Sequence, residues 1–266
     1  MDATTTVDLA IHDFAIPGLA GANAAVAIVR VGPADLQAGP LAGWLAREEI
    51  DRFHRFKVEH ARVDFLAGRI AAKSALIRLV PQSRPADWEL VLGVWRQPCV
   101  RGPFGGLKVT LAHSAGVAVA VAFDDRWTCG IDLEESTRDA AEVVESQVTG
   151  AEADWARAAG ADMTTRWMLL WTAREAIGKS FGTGLLFPSF LPASRDWHEI
   201  DGFWHARVGD GDLLAIRSMV SGRFALSWLA PAAAAQAPVG GEMLQWLRAT
   251  LAAWTNHALP LRPDQL

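Results

Sequence analysis

The sequence predicts an α+β protein built as two similar halves in one chain. Three observations carry this. Short apolar, β-branched runs bounded by Gly, Pro and Asp read as strands, and longer stretches with apolar residues three and four apart read as helices. The order helices-then-strands also occurs twice, over about 45–123 and 151–229. The division that follows is an N-terminal half over 1–124, a C-terminal half over 125–230, and a linker with an amphipathic helix over 231–266.

Taken in order, residues 24–31 form a strand that Gly32-Pro33 breaks. Residues 45–60 read as helix, with Leu45, Ile50, Phe53 and Phe56 apolar among charges. A second helix covers 62–80 and stops at Pro81; Phe65, Leu66, Ile70, Leu76, Ile77 and Val80 are its inner face. Residues 88–95 are the next strand, followed by a loop through Arg96-Gln97-Pro98. Residues 109–111 and 116–123 are strands about a turn at 113–116. The latter is apolar throughout, as a strand buried on both faces should be. After a turn at Asp124-Asp125 the chain returns as a strand over 127–133. A short helix spans 151–159 and a long one 164–181, with Thr164 or Thr165 as its N-cap. Strands follow near 204–208, 213–218 and 224–229. Residues 230–241 are Ala/Pro/Gly-rich, hence the linker, and 242–257 are amphipathic.

Composition narrows the function classes. A chain of 266 residues, 51% hydrophobic and 21% charged, has enough apolar side chain for a core and is not a disordered polymer. No apolar run reaches the length of a membrane span, and residues 1–6 lack the basic start and apolar run of a secretion signal. Cys99 and Cys129 are too few for a disulfide framework or a zinc site. The expectation is a cytoplasmic protein without a membrane partner. A net charge of −5 argues against nucleic acid as its partner. The charge is uneven, however. Arginines and lysines crowd 47–84, among them Arg52, Arg69 and Lys73, and acids are denser over 124–162. That suits an anionic ligand held partly through a metal. It equally suits two halves that attract each other.

Two stretches carry candidate chemistry. Asp132 and Glu134 alternate on a strand, so both side chains point to one face. Paired carboxylates at the end of an apolar strand repel unless a cation lies between them, and Mg²⁺ takes such ligands while leaving positions for phosphate oxygens. An exposed Asp-x-Glu is also a common solvated feature. Glu175 and Lys179 share a helical face, which by itself describes an ordinary surface ion pair; if that helix packs beside the strand, Glu175 becomes a third ligand. His113 beside Ser114 is not a nucleophile pair, since adjacent residues do not place the hydroxyl on the imidazole; it either bonds within its turn or faces an anion. Arg69 and Lys73, four apart on a helix, flank a phosphate or merely solvate the helix. No phosphate loop is present in the Gly182-Thr183-Gly184 stretch.

Leu111-Ala112-His113-Ser114, then Gly130-Ile131-Asp132-Leu133-Glu134, then Trp171-Thr172-Ala173-Arg174-Glu175-Ala176-Ile177-Gly178-Lys179 together resemble the 4′-phosphopantetheinyl transferases. The likeness is to the long, monomeric type that activates nonribosomal peptide and polyketide synthases, and it extends over most of 45–230. The resemblance implies a pseudo-twofold fold of mainly antiparallel sheets with helices packed on them. It implies transfer of the phosphopantetheine arm of coenzyme A to a serine of an acyl or peptidyl carrier protein, with Mg²⁺, or Mn²⁺, as cofactor. Asp132, Glu134 and Glu175 correspond to the metal-holding acids and Lys179 to the lysine on the transferred phosphate. His113, with Ser114 and the basic residues Arg52, Arg69, Lys73 and Arg96, corresponds to the coenzyme A site; Glu152 stands where a glutamate near the incoming serine is common. Three positions depart from the family pattern: Arg174 replaces a lysine, Ala112 the first serine of the turn, and Arg96-Gln97-Pro98 a Gly-Lys-Pro. The alternative from another class is a silent homologue that binds coenzyme A or a carrier protein as a regulator or scaffold. A metal-assisted hydrolase lacks further His or Asp ligands.

Overall fold

The computed structural model describes residues 7–37, 41–136 and 144–255. Strands β1 (Asp8–Ala15) and β2 (Asn23–Arg30) are followed by helices α1 (Leu41–Trp44), α2 (Arg47–Arg55) and α3 (Glu59–Leu79). A ribbon of β3 (Glu89–Leu92) and β4 (Pro98–Arg101) precedes the hairpin β5 (Leu107–Ser114) and β6 (Val117–Asp124). The chain then runs through β7 (Gly130–Glu135), α4 (Gly150–Arg157) and α5 (Met163–Ser180). It continues with strands β8 (Ser194–Ile200), β9 (Phe203–Val208), β10 (Leu214–Ser221) and β11 (Phe224–Pro231), then helices α6 (Ala232–Gln236) and α7 (Pro238–Thr255).

Two antiparallel sheets result, ordered β1-β2-β6-β5 and β7-β11-β10-β9-β8. They share a connectivity. A strand (β2 or β7) leads to a long helix (α3 or α5), and a later hairpin inserts its second strand (β6 or β11) beside the first. The expected α+β class with mainly antiparallel sheets is what the chain adopts.

Strand alternation decides which layer each sheet face meets. In β6, Val117, Val119, Val121 and Phe123 enter the core between the sheets, and Ala118, Ala120 and Ala122 face the other way. Strand β2 repeats the pattern with Val26 and Ile28 inward and Ala25 and Ala27 outward. Those alanines meet Ala67, Ala71, Ala72 and Ala75 of α3, so the helix lies close on the sheet. Helix α7 closes the core between the sheets with Met243, Leu244, Leu247 and Leu251, and its Trp246 stacks on His12.

The halves meet where the edge strands β5 and β7 run side by side in parallel. The Ile131 amide donates to Thr110 Oγ1 at 3.2 Å and the Glu135 amide to Ser114 Oγ at 3.0 Å. Side-chain hydroxyls thus stand in for the carbonyls a sheet neighbour would offer, and the edge of β7 is not left unsatisfied.

Several boundaries differ from expectation. His113 and Ser114 end β5, and the turn is Ala115-Gly116, both at positive φ. That is the two-residue geometry whose twist suits a hairpin. The helix expected over 45–60 breaks after Arg55, because Arg62 Nε takes the Phe56 carbonyl at 2.8 Å and the Phe56 ring packs on Phe65. The strand expected over 88–95 stops at Leu92, where Gly93 and Gln97 close a turn with a 2.8 Å bond. Neither Thr164 nor Thr165 caps α5; a 3₁₀ turn at Gly160–Asp162 runs directly into it. Strands β1, β4 and β8 were not foreseen, and the stretch expected as a linker is helical over Ala232–Gln236 and again from Pro238. The expected end of the last helix, at His257, lies outside the described residues. No helix among those described is long and apolar enough to cross a membrane.

Thr110→Val keeps the shape of the buried side chain but leaves the Ile131 amide without an acceptor. It is expected to cost about 1–3 kcal/mol in urea unfolding, whereas Thr→Val at an exposed position should cost a few tenths.

Candidate active site

Strand β7 sends Ile131 and Leu133 into the core, so Asp132 and Glu134 emerge on the opposite face, toward α5. The approach of α5 is set by Gly130. A Cβ there would fall 2.0 Å from the Ala176 carbonyl oxygen, so any other residue would push the helix away. Behind the contact, a hydroxyl chain ties helix to sheet: Thr172 Oγ1 to Ser227 Oγ and Ser227 Oγ to Ser218 Oγ, each 2.7 Å. With the helix so held, Lys179 Nζ donates to Asp132 Oδ1 at 2.5 Å. The surface-pair reading of Glu175 and Lys179 is therefore replaced by a lysine that reaches across to the strand.

These groups line one side of a cavity of about 790 Å³ at the junction of the halves. Asp132, Glu134, Glu175 and Lys179 form the wall from the second half. Facing them from the first half are Arg52, Arg69, Arg96 and His113. Arg52 and Arg69 both lie over the Phe65 ring, at 5.6 and 4.3 Å from its centroid. Arg96 is presented by the β3–β4 turn in a left-handed conformation, φ 65°. The His113 imidazole opens onto the cleft; desolvation by the surrounding walls draws its pKa down, opposed by Asp64 and reinforced by Lys179 and Arg69.

The carboxylates are short of positive charge. Asp132 is 2% exposed, its Oδ2 is buried with no partner, and burial raises its pKa although Lys179 pulls the other way. Glu134 is pushed up to about 7 by burial and then by Asp132, against the Ser114 hydroxyl, Lys179 and the Trp171 side chain. Burial and Asp132 likewise raise Glu175. Lys179 stays charged despite burial because Asp132, Glu175 and Glu134 surround it. Three acidic side chains surround one ammonium, and one buried carboxylate oxygen, Asp132 Oδ2, has no hydrogen-bond partner. By charge and donor chemistry they fit a hard divalent cation. Among the described residues no three His, Cys, Asp or Glu side chains are already gathered as a metal cluster, and Lys179 takes one oxygen of Asp132.

Three expected site residues stand elsewhere. Glu152 is the N3 residue of α4: its Oε2 accepts from the Thr149 amide and hydroxyl, and its Oε1 from the Ser194 amide and hydroxyl at 2.8 and 2.6 Å. With its lone pairs so engaged, it holds α4 to β8 and does not line the cavity where it was expected beside an incoming serine. Lys73 is fully buried on Glu49 Oε2 and the Trp44 carbonyl, so it cannot reach a ligand. Ser114 supports Glu134 and Glu135 from behind and does not line the cavity.

The departures from the family pattern also find places. Arg174 is buried and donates to the carbonyls of Gln147, Leu191, Pro192 and Pro188. It braces the loop after α5 and takes no part in the cleft. Ala112 faces the core between the sheets. Gln97 is turned back onto its own loop, its Oε1 accepting from the Trp95 amide at 2.9 Å. Sequence reasoning missed Glu49, which pairs with both Arg69 and Lys73; its one local signal was its place three residues after the N-cap Ala46, where a carboxylate can accept from the N-cap amide.

Residues 128–225 match the model of the 4′-phosphopantetheinyl transferase superfamily. The match takes in β7, α4, α5 and most of the second sheet; the basic wall lies outside it. The activity of that superfamily is phosphopantetheinyl transfer. No curated protein matches the chain.

Two outcomes test the geometry. Because the fold raises Glu134 from its ordinary 4.5 to about 7, the protonated form is favoured in the native state. Its stabilising effect is complete below about pH 4.5 and fades as pH rises through 7. In EDTA, Glu134→Gln should therefore be more stable than the parent at pH 8, by on the order of 1 kcal/mol in urea, and equal to it near pH 4. Glu152→Ala should lower the unfolding free energy by about 3–5 kcal/mol, since it leaves the Ser194 and Thr149 donors without their acceptor and buried Arg174 without its neighbouring countercharge.

Proposed function

We propose that this chain is a 4′-phosphopantetheinyl transferase of the long, monomeric type, cytoplasmic, with a catalytic body in two halves over 1–124 and 125–230. It moves the phosphopantetheine arm of coenzyme A to a serine of an apo acyl or peptidyl carrier protein. The observation that carries this reading is the cavity at the junction. A basic wall faces an acidic wall, as a ligand with several phosphates and a metal-neutralised pyrophosphate requires.

Arg52, Arg69, Arg96 and His113 would receive the phosphate groups of coenzyme A at the first-half wall. Asp132, Glu134 and Glu175 would hold Mg²⁺, or Mn²⁺, which when bound neutralises the pyrophosphate. Lys179, set among the three acids, meets the phosphoryl group being transferred and offsets its charge. Glu175 accepts the proton of the carrier serine at its carboxylate. The serine oxygen forms a bond to the β-phosphorus, and the bond from that phosphorus to the bridging oxygen breaks. The electron pair leaves with adenosine 3′,5′-bisphosphate, and the phosphopantetheine stays on the carrier.

The test is to incubate the protein with coenzyme A, Mg²⁺ and an apo carrier domain, and to weigh the carrier. A gain of one phosphopantetheine is expected. Asp132→Ala and Glu175→Ala should reduce the rate by about 10²-fold or more while circular dichroism remains that of the parent. Binding of coenzyme A with no mass gain on any of several carriers would sink the transferase and leave the regulator or scaffold.

A further inference from the structure

Arg69 reaches the cavity wall from the buried side of α3, and what fixes its guanidinium lies on a different helix. Glu49 of α2 is 3% exposed, and its two oxygens meet four donors. Oε1 lies 2.9 Å from Arg69 Nε, an ion pair without hydrogen-bond alignment, and accepts from the Leu90 amide at 3.1 Å; Oε2 accepts from Lys73 Nζ at 2.5 Å and the Ala46 amide at 2.9 Å. One carboxylate thus joins the start of α2, the middle of α3 and the first residues of the β3–β4 ribbon. Arg69 and the ribbon that presents Arg96 both belong to the basic wall.

The division of labour between the two oxygens matters. The Oε2 side, with Lys73 and Ala46, faces the protein interior. The Oε1 side fixes two parts of the cavity wall against each other. With Nε ion-paired to Glu49, Nη2 donating to the Leu90 carbonyl at 3.5 Å and the guanidinium over Phe65, Arg69 has little rotamer freedom left, and Nη1 is the nitrogen left to a ligand. Arg52 shares the same ring, so a displaced Arg69 would also meet its like charge.

We infer that Glu49 is a positioning residue for ligand binding: through Arg69 and the Leu90 amide it sets the basic wall that receives a phosphate group of the substrate. This rests on the reading of the cavity as a coenzyme A site and adds to it a residue that touches no ligand. Glu49 acts through Arg69, and its removal should raise the substrate concentration the protein needs without altering the acidic wall where bonds break.

Two variants separate positioning from a merely structural role. Glu49→Gln keeps the shape and removes the charge that orders Arg69. Lys73→Met leaves the Glu49–Arg69 contact and removes only the interior partner. Both are expected to lower the melting temperature. Coenzyme A titrated calorimetrically into the folded proteins should bind Glu49→Gln about tenfold more weakly than the parent, and Lys73→Met within about twofold of it. In the carrier assay the same loss should appear in KM with kcat nearly unchanged. Equal affinity in Glu49→Gln and the parent, or equal losses in the two variants, would overturn the inference. A parent chain that shows the Glu49-dependent titration but modifies no carrier would overturn the transferase reading alone.

Discussion

The architecture depends on how two sheet edges meet. An edge strand offers amides that need acceptors, and the edge of β7 finds them in the hydroxyls of Thr110 and Ser114. A direct sheet merger would have brought backbone to backbone and left no space. The hydroxyl bridge holds the strands adjacent but separate, and the cavity lies beside this junction, with His113 on one strand and Asp132 and Glu134 on the other. The site follows from an incomplete union of two sheets.

Charge is arranged around that junction as two opposed excesses. On the second half, Asp132, Glu134 and Glu175 share Lys179, and burial makes each carboxylate harder to ionise. On the first half, Arg69 and Lys73 share Glu49, and burial lowers the pKa of both cations. Each wall therefore contains fewer counter-ions than charges, Lys179 on the acidic side and Glu49 with Asp64 on the basic side. The remaining imbalance is what a ligand combining phosphates with a cation would relieve.

Much of this was legible in the residues. The period-two alternation of Gly130-Ile131-Asp132-Leu133-Glu134 put both acids on one face, and the helical spacing of Glu175 and Lys179 put them on the helix that covers it. Long periodic elements such as α3, β6 and α5 were readable because each buries a continuous face. Short or polar edge strands, β1 and β8, were not, because neighbours rather than local pattern stabilise them. The polar residues misplaced by sequence reasoning share one property. Glu152 depends on Ser194, Lys73 on Glu49, and Arg174 on carbonyls of residues 188–192. In each case a buried charge is explained by a partner 14 to 42 positions away, which no local spacing announces.

The order of the strands along the chain has a consequence for synthesis. Every strand of the first sheet precedes Gly130, so that sheet has all its partners before the second begins to leave the ribosome. Its β5 edge, like β1 on the other side, is then exposed, the kind of template that recruits foreign strands. The segment that covers it, β7, is the next strand to emerge, whereas the partner of β7 within its own sheet, β11, comes some ninety residues later. A nascent chain can therefore screen its own vulnerable edge early, and the joint that shapes the cavity serves first as a guard against misassociation.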